Sequence, residues 1–272
     1  MKIIQSILTK NPCYTAGKKI TVKGLMLHSI GCPQPSASVF VKGWNTPSHN
    51  WSCVHAFIDG NTGDVYQTLP WNHRGWHGGG SSNDTHIGVE MCEPGCIKYT
   101  GGSTFTCSDL ATARAVTQRT YDSAVQLFAH LCKQYNLNPL GAGVIVSHAE
   151  GYKRGIASNH GDPEHLWKQL GMGYTMDTFR KAVKSAMNGE TITTPTTENK
   201  GDFTPYKVKV ICSELNIRKT PKWSNNDIVG VIKDKGVYTI VGETMLGDTK
   251  FGKLKSGAGW ISLGSTYVKK LG

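Results

Sequence analysis

The chain has 272 residues, 38% of them hydrophobic, and 30 lysines and arginines against 19 acidic residues give it a net charge of +11. That length and apolar content exclude a disordered or fibrous chain and allow one large domain, or one medium and one small. The positive charge suits an anionic partner, but charge alone does not choose among nucleic acid, a lipid surface and a polyanionic wall.

In chain order, "MKIIQSILTKNPCYTAGKK" lacks the basic start, long apolar core and small-residue cleavage site of a secretion signal. No later window approaches the roughly 18 apolar residues of a membrane span. The expectation is synthesis in the cytoplasm and no membrane insertion. "KKITVKGLMLHS" reads as a buried strand ending at His28, and "SCVHAFID" and "GDVYQTL" flank "GNTG" as a hairpin. "HIGVEMC" and "GVIVSH" read as further short strands. Leu110, Ala113, Val116, Ala124, Leu127, Phe128, Leu131 and Tyr135 recur at helical spacing, and "MDTFRKAVKSAM" is an amphipathic closing helix. The pattern predicts an α/β fold, a mixed central β-sheet flanked by helices, over residues 1–187.

Residues 188–205, "NGETITTPTTENKGDFTP", are rich in Thr, Pro, Gly and charge without apolar periodicity and read as a linker. Residues 206–272 break into short strands separated by Gly, Asn, Asp and Lys turns, the pattern of a small all-β barrel. This last segment carries 12 basic and 5 acidic side chains.

The eight cysteines contain no CxxC pair, and Cys53 and Cys132 sit in apolar runs, so mostly reduced thiols are expected. "CEPGC" with Cys107 nearby is a weaker pattern, open to a minor metal or disulfide site.

His28 and His148 each end an apolar strand, where side chains point into the crevice at the carboxyl edge of a sheet. Two such histidines can converge across 120 residues; each can equally be a satisfied, partly buried histidine. Asp162 in "GDPEHLW" has two readings: N-cap of a helix with Pro163 in its first turn, or the oxygen ligand of a zinc site with two histidines and one open position. His73 and His77 lie four apart, but the glycines of "NHRGWHGGG" argue against a helix that would pair them as ligands. That loop instead offers Trp71, Trp76 and His77 to a ligand. Glu90, between Val89 and Met91, is a carboxylate in an apolar strand, where desolvation raises a pKa towards values suited to acid–base work. Its other reading is a buried ion pair or a water-facing edge residue. Glu150 and His165 read as bystanders.

Taken together, "LMLHSIG", "CVHAFIDGNTGDVYQTLPWNHRGWHGGGSSNDTHIGVEM" and "VIVSHAEGYKRGIASNHGDPEHLW" resemble the zinc-dependent type-2 N-acetylmuramoyl-L-alanine amidases, relatives of T7-type lysozyme and animal peptidoglycan recognition proteins. By position the resemblance implies zinc ligands at His28, His148 and Asp162, a catalytic carboxylate at Glu90, and a groove-lining His77 in "GWHGG", with Trp76 and Trp71 as further groove residues. It departs from the family at His160, where a lysine often stands two residues before the third ligand, so oxyanion stabilisation either falls to an imidazolium or is shared differently. It departs again at Val54, where T7-type enzymes carry a tyrosine.

"LNIRKTPKWSNNDIVGVIKDKGVYTI" and "GWISLGSTYVKK" resemble bacterial SH3-like wall-binding modules. The implied protein is a two-domain peptidoglycan hydrolase of the phage or prophage endolysin kind. It would carry one Zn2+ and cut the bond between N-acetylmuramic acid and L-alanine, reaching the wall through a holin-type lesion or by non-classical export. Binding without turnover is disfavoured because every ligand position and Glu90 hold competent residues. A cysteine peptidase finds no recognisable cysteine context, and a nucleic-acid binder has no groove-reading motif.

Overall fold

The computed structural model describes residues 1–189, 203–221, 223, 225–246 and 249–271. The chain divides into two compact units, Met1–Thr196 and Thr197–Gly272. Most of the expected linker, residues 190–202, lies outside the described residues.

The first unit is built on a six-stranded sheet formed by β1 (Ile3–Gln5), β2 (Gly24–Ser29), β3 (Ala56–Ile58), β4 (Val65–Gln67), β5 (His86–Met91) and β8 (Ile145–Ser147), in the order β1-β4-β3-β5-β2-β8. Only β3 and β4 pair antiparallel, as the two arms of the hairpin around "GNTG"; the other neighbours are parallel. A separate hairpin, β6 (Ile97–Gly101) and β7 (Thr104–Cys107), stands outside this sheet. The helices are α1 (Pro12–Thr15), α2 (Ala37–Trp44), α3 (Leu110–Gln134), α4 (His148–Lys153), α5 (Glu164–Gln169) and α6 (Met176–Met187).

Every residue of β2 is buried, because both faces of this central parallel strand are covered. Alternation nevertheless sorts its side chains. Leu25 and Leu27 of β2, with Ile87, Val89 and Met91 of β5, join the core with Tyr121, Leu127 and Phe128 of α3 and Phe179 of α6. His28 and Glu90 take the intervening positions, directly opposite each other in the β2–β5 register. The sheet thus spends one face on hydrophobic packing and is free to offer the other to chemistry.

Two local expectations are corrected. His148 does not end a strand: β8 stops at Ser147, whose side chain accepts from Glu150 N while the Glu150 carboxylate reaches back to Ser147 N, so a capping box opens α4 with His148 as its first residue. Asp162 does not cap α5, because the cap position belongs to Pro163 and the Asp162 carboxylate turns away towards Ser29 and the two histidines. The expected strand over residues 18–29 is regular only from Gly24.

The second unit is all β: β9 (Tyr206–Val210), β10 (Leu215–Arg218), β11 (Ile228–Ile232), β12 (Val237–Leu246), β13 (Thr249–Leu254), β14 (Trp260–Ser262) and β15 (Val268–Lys270). They form one antiparallel ladder in the order β11-β10-β14-β13-β12-β9-β15 around a core that includes Val208, Val210, Leu215, Ile240, Leu254 and Ile261. Among the described residues no pairing joins its end strands, β11 and β15.

Phe179 joins α6 to α3, its ring meeting Tyr121 edge-on at 5.5 Å and Phe128 at 5.1 Å between centroids. Phe179→Ala should cost about 3–5 kcal/mol by chemical denaturation; a loss below about 1 kcal/mol would show that this layer does not carry the packing described.

Candidate metal centre

His28 from β2, His148 from the start of α4 and Asp162 from the loop before α5 meet at the carboxyl ends of the parallel strands. All three are buried. His28 Nδ1 lies 3.0 Å from His148 Nδ1 and 3.3 Å from Asp162 Oδ2, and His148 Nδ1 lies 3.5 Å from Asp162 Oδ1. Ligands bound to zinc at about 2.0–2.1 Å in tetrahedral geometry stand about 3.3 Å apart, so the triangle has the size of one tetrahedral face. Among the described residues it is the one group of this kind.

The proton inventory makes the case more strongly than the distances. His77 Nε2–H donates to the His86 carbonyl at 3.1 Å, and a carbonyl can only accept. Burial foremost, with His28 and His55 beside it, holds the His77 pKa well below the ordinary histidine value, so its ring is neutral and Nδ1 is an acceptor. His28 Nε2–H therefore donates to His77 Nδ1 at 3.1 Å, which turns His28 Nδ1 towards the triangle. His148 has the same arrangement: Nε2–H donates to Ser158 Oγ at 3.2 Å, whose own proton reaches the Gly78 carbonyl at 3.3 Å. Burial, then the neighbouring His28, push the His148 pKa down to about 4. Both Nδ1 atoms and the Asp162 carboxylate thus face one point, an arrangement that suits a cation there, whether a proton on His28 Nδ1 or a metal ion.

The local field agrees. Burial opposes charge on His28, yet the Glu90 and Asp162 carboxylates outweigh it and raise its pKa. Burial would raise the Asp162 pKa, but its hydrogen bond and proximity to His28, with His148, hold it low. A site that favours positive charge on His28 while keeping Asp162 ionised also favours a metal ion.

Glu90 is partly buried beside this triangle, and its Oε2 has no hydrogen-bond partner. Burial chiefly, opposed by His28 and reinforced by Asp162 and Glu93, pushes its pKa up to about 8. His160 is exposed, with its ring 4.4 Å from that of His148 and its Nδ1 3.1 Å from Ser158 Oγ. These groups, with Trp76 and His77, line a cleft of about 710 Å3. Trp71 is not among the lining residues; it packs against the hydrophobic core, so the structure does not bring it to the groove. His77 is less a groove surface than the partner that orients His28. Its ring lies so close over β5 that a Cβ at Gly88 would fall 2.3 Å from its Cγ, which explains the glycine of "HIGVEM".

More than half of the chain, residues 18–165, matches the model of the N-acetylmuramoyl-L-alanine amidases. The chain belongs to this amidase family. It is a peptidoglycan amidase with a His-His-Asp metal-binding triad. Among solved structures it is similar to the Staphylococcus aureus hydrolase AmiA in complex with its ligand, at 18% identity and a TM-score of 0.53 over 69% of this chain and 83% of that one. That likeness is one of fold. The catalytic domain of XlyA (22% identity, TM-score 0.45, 67% of this chain and 99% of that one) and a mutant endolysin from Bacillus subtilis (20%, 0.45, 67% and 99%) also match. No curated protein matches.

Several groups of this amidase site escaped the sequence reading. Tyr99 and Ser103 come from the unexpected β6–β7 hairpin; Tyr99 Oη contacts Glu93 Oε2 at 2.7 Å and His165 Nε2 at 2.8 Å, and His165 itself lines the cleft. Glu150 is no bystander, since Arg180 grips its carboxylate at 2.8 and 3.1 Å while it caps α4, fixing the turn that delivers His148. "IKYTGGSTFTC", with two glycines between β-prone arms, was the available signal for the hairpin, and "SHAE" for the capping box. The His73–His77 pair is not a ligand pair: His73 contacts Lys19 and stacks on Tyr14.

Because His77 and Ser158 hold the imidazoles rather than supply donors to the triangle, His77→Ala and Ser158→Ala should each weaken zinc affinity about 10–100-fold, measured by chelator competition. Affinity equal to that of the unaltered protein would show that the two contacts do not set the tautomers.

Proposed function

We propose that the protein hydrolyses the amide joining the lactyl group of N-acetylmuramic acid to the L-alanine of the stem peptide, with one Zn2+ held by His28, His148 and Asp162. The convergence of two imidazole nitrogens and a carboxylate, in a chain of the amidase family, carries this reading. A zinc ion at that point supplies Lewis acidity, drawing the pKa of water towards about 7 and polarising a carbonyl.

The chain's own residues supply the proton handling. Glu90, with an unpartnered Oε2 and a pKa near the working range, takes the proton of the attacking water as its oxygen bonds to the lactyl carbonyl carbon. The same carboxyl returns that proton to the alanine nitrogen as the C–N bond breaks. His160 supplies a hydrogen-bond donor to the carbonyl oxygen as it gains charge. Trp76, exposed at the cleft, offers an indole face to sugar or peptide.

The basic second unit acts in this reading as an SH3-like module that holds the enzyme on the wall. Its excess of positive charge and its resemblance to such modules support the role. The protein is made in the cytoplasm and meets peptidoglycan after holin-type release or non-classical export, as in endolysins.

Glu90→Gln should retain zinc yet lose about 100-fold or more of the rate at which free N-terminal alanine appears from purified walls. Near-normal turnover would remove Glu90 from the mechanism. Asp162→Ala should instead lose the metal itself, read as zinc per chain after dialysis, and full zinc occupancy in that variant would contradict the assigned triad.

A further inference from the structure

A second cavity, of about 380 Å3, has a lining that includes Cys13, Lys18, Asn50, Trp51, Arg74 and Trp76. Trp76 lines both cavities, so the second one borders the cleft. Its walls are unusual for a surface that meets only water. Trp51 is 53% exposed and Trp76 45%. Trp51 also has a φ of +71°, a left-handed conformation that costs a bulky residue energy. The backbone pins it there: Trp51 N donates to the His49 carbonyl at 2.9 Å, and the Cys13 thiol donates to the Trp51 carbonyl at 3.0 Å.

The charge of this cavity has one sign. The Arg74 guanidinium lies 5.1 Å over the Trp76 ring, and its Nε donates to Asp84, which is not part of the lining. Arg74 N also donates to the Lys18 carbonyl at 2.9 Å, tying the two cationic residues together. Lys18 is exposed and lines the cavity, whereas the neighbouring Lys19 ammonium turns to His73. No carboxylate lines the cavity.

We propose that this cavity is a subsite for a carboxylate of the stem peptide, with Lys18 and Arg74 meeting the charge and the two indoles packing the adjacent aliphatic side chain. The inference rests on the amidase reading above. In the wall polymer the N-acetylated sugars become uncharged once the lactyl group is amidated, whereas the peptide keeps its carboxylates. Charge complementarity therefore selects the peptide over the glycan. Guanidinium and ammonium donors suit a carboxylate, and flat indoles gather apolar area at little cost in side-chain entropy. The strained Trp51 then has a purpose, since a relaxed backbone there would turn the indole elsewhere.

The test compares the full chain with its Trp51→Ala, Lys18→Gln and Lys18→Glu variants on N-acetylmuramoyl-tetrapeptide and on the same compound with its C-terminal carboxyl amidated. The unaltered protein should show a KM about tenfold lower for the free acid. Lys18→Gln should shrink that preference, Lys18→Glu should abolish or invert it, and Trp51→Ala should raise KM for both ligands. The preference should also fade as salt screens the cations. Equal KM for acid and amide in the unaltered protein, or a preference that survives Lys18→Glu, would overturn the subsite. A Trp51→Ala penalty that grows with glycan length and ignores the terminal carboxyl would also overturn it, by assigning the cavity to sugar. Failure of the unaltered protein to cleave either compound would instead overturn the amidase reading, and the subsite with it.

Discussion

Two imidazole nitrogens and a carboxylate converge on one buried point, and the first unit is arranged to hold them there. The His86 carbonyl fixes His77, His77 fixes the proton on His28 Nε2, and Ser158 does the same for His148. Such a cluster is stable when a cation, a proton shared between His28 and Asp162 or a metal ion, occupies its centre. Much of the surrounding structure serves this one point. Gly88 makes room for His77, the Ser147–Glu150 capping box with Arg180 aims His148, and the loop before α5 directs Asp162 inward.

The site also inverts the electrostatics of the whole chain. The protein carries +11 overall, yet Glu90 and Asp162 stand beside His28, with Glu93 next to Glu90. The two fields have different tasks. The excess positive charge suits an anionic polymer, while the carboxylates beside His28, in a region of low dielectric, favour a cation at the centre. Glu93 is held for this by Gly31 N at 3.1 Å and by the Tyr99 hydroxyl.

The sequence made the sheet and the three donors legible for one physical reason: in a strand with both faces buried, a polar residue stands out against an apolar run. His28 and Glu90 interrupt such runs in β2 and β5. His148 was legible as a residue but not as a helix start, because the apolar "VIVS" run masked the capping signal in "SHAE". Asp162 sits at a position where capping and ligation use the same side chain, and only the packing against Ser29 separates them. Trp71 was misplaced because loop position says nothing about which way an indole turns; here it turns to the core. The Tyr99 hairpin and the orienting role of His77 depend on contacts between segments far apart in sequence, which no local pattern encodes. In the second unit the strands were legible from their turns, whereas closure into a barrel depends on how the two end strands meet.

The most direct test of the central claim is X-ray absorption at the zinc edge on the metal-loaded protein. Two imidazole nitrogens at about 2.0–2.1 Å with oxygen completing the shell is the predicted result. A sulfur shell at about 2.3 Å, which would bring one of the eight cysteines to the metal, or a shell with a single imidazole would contradict it.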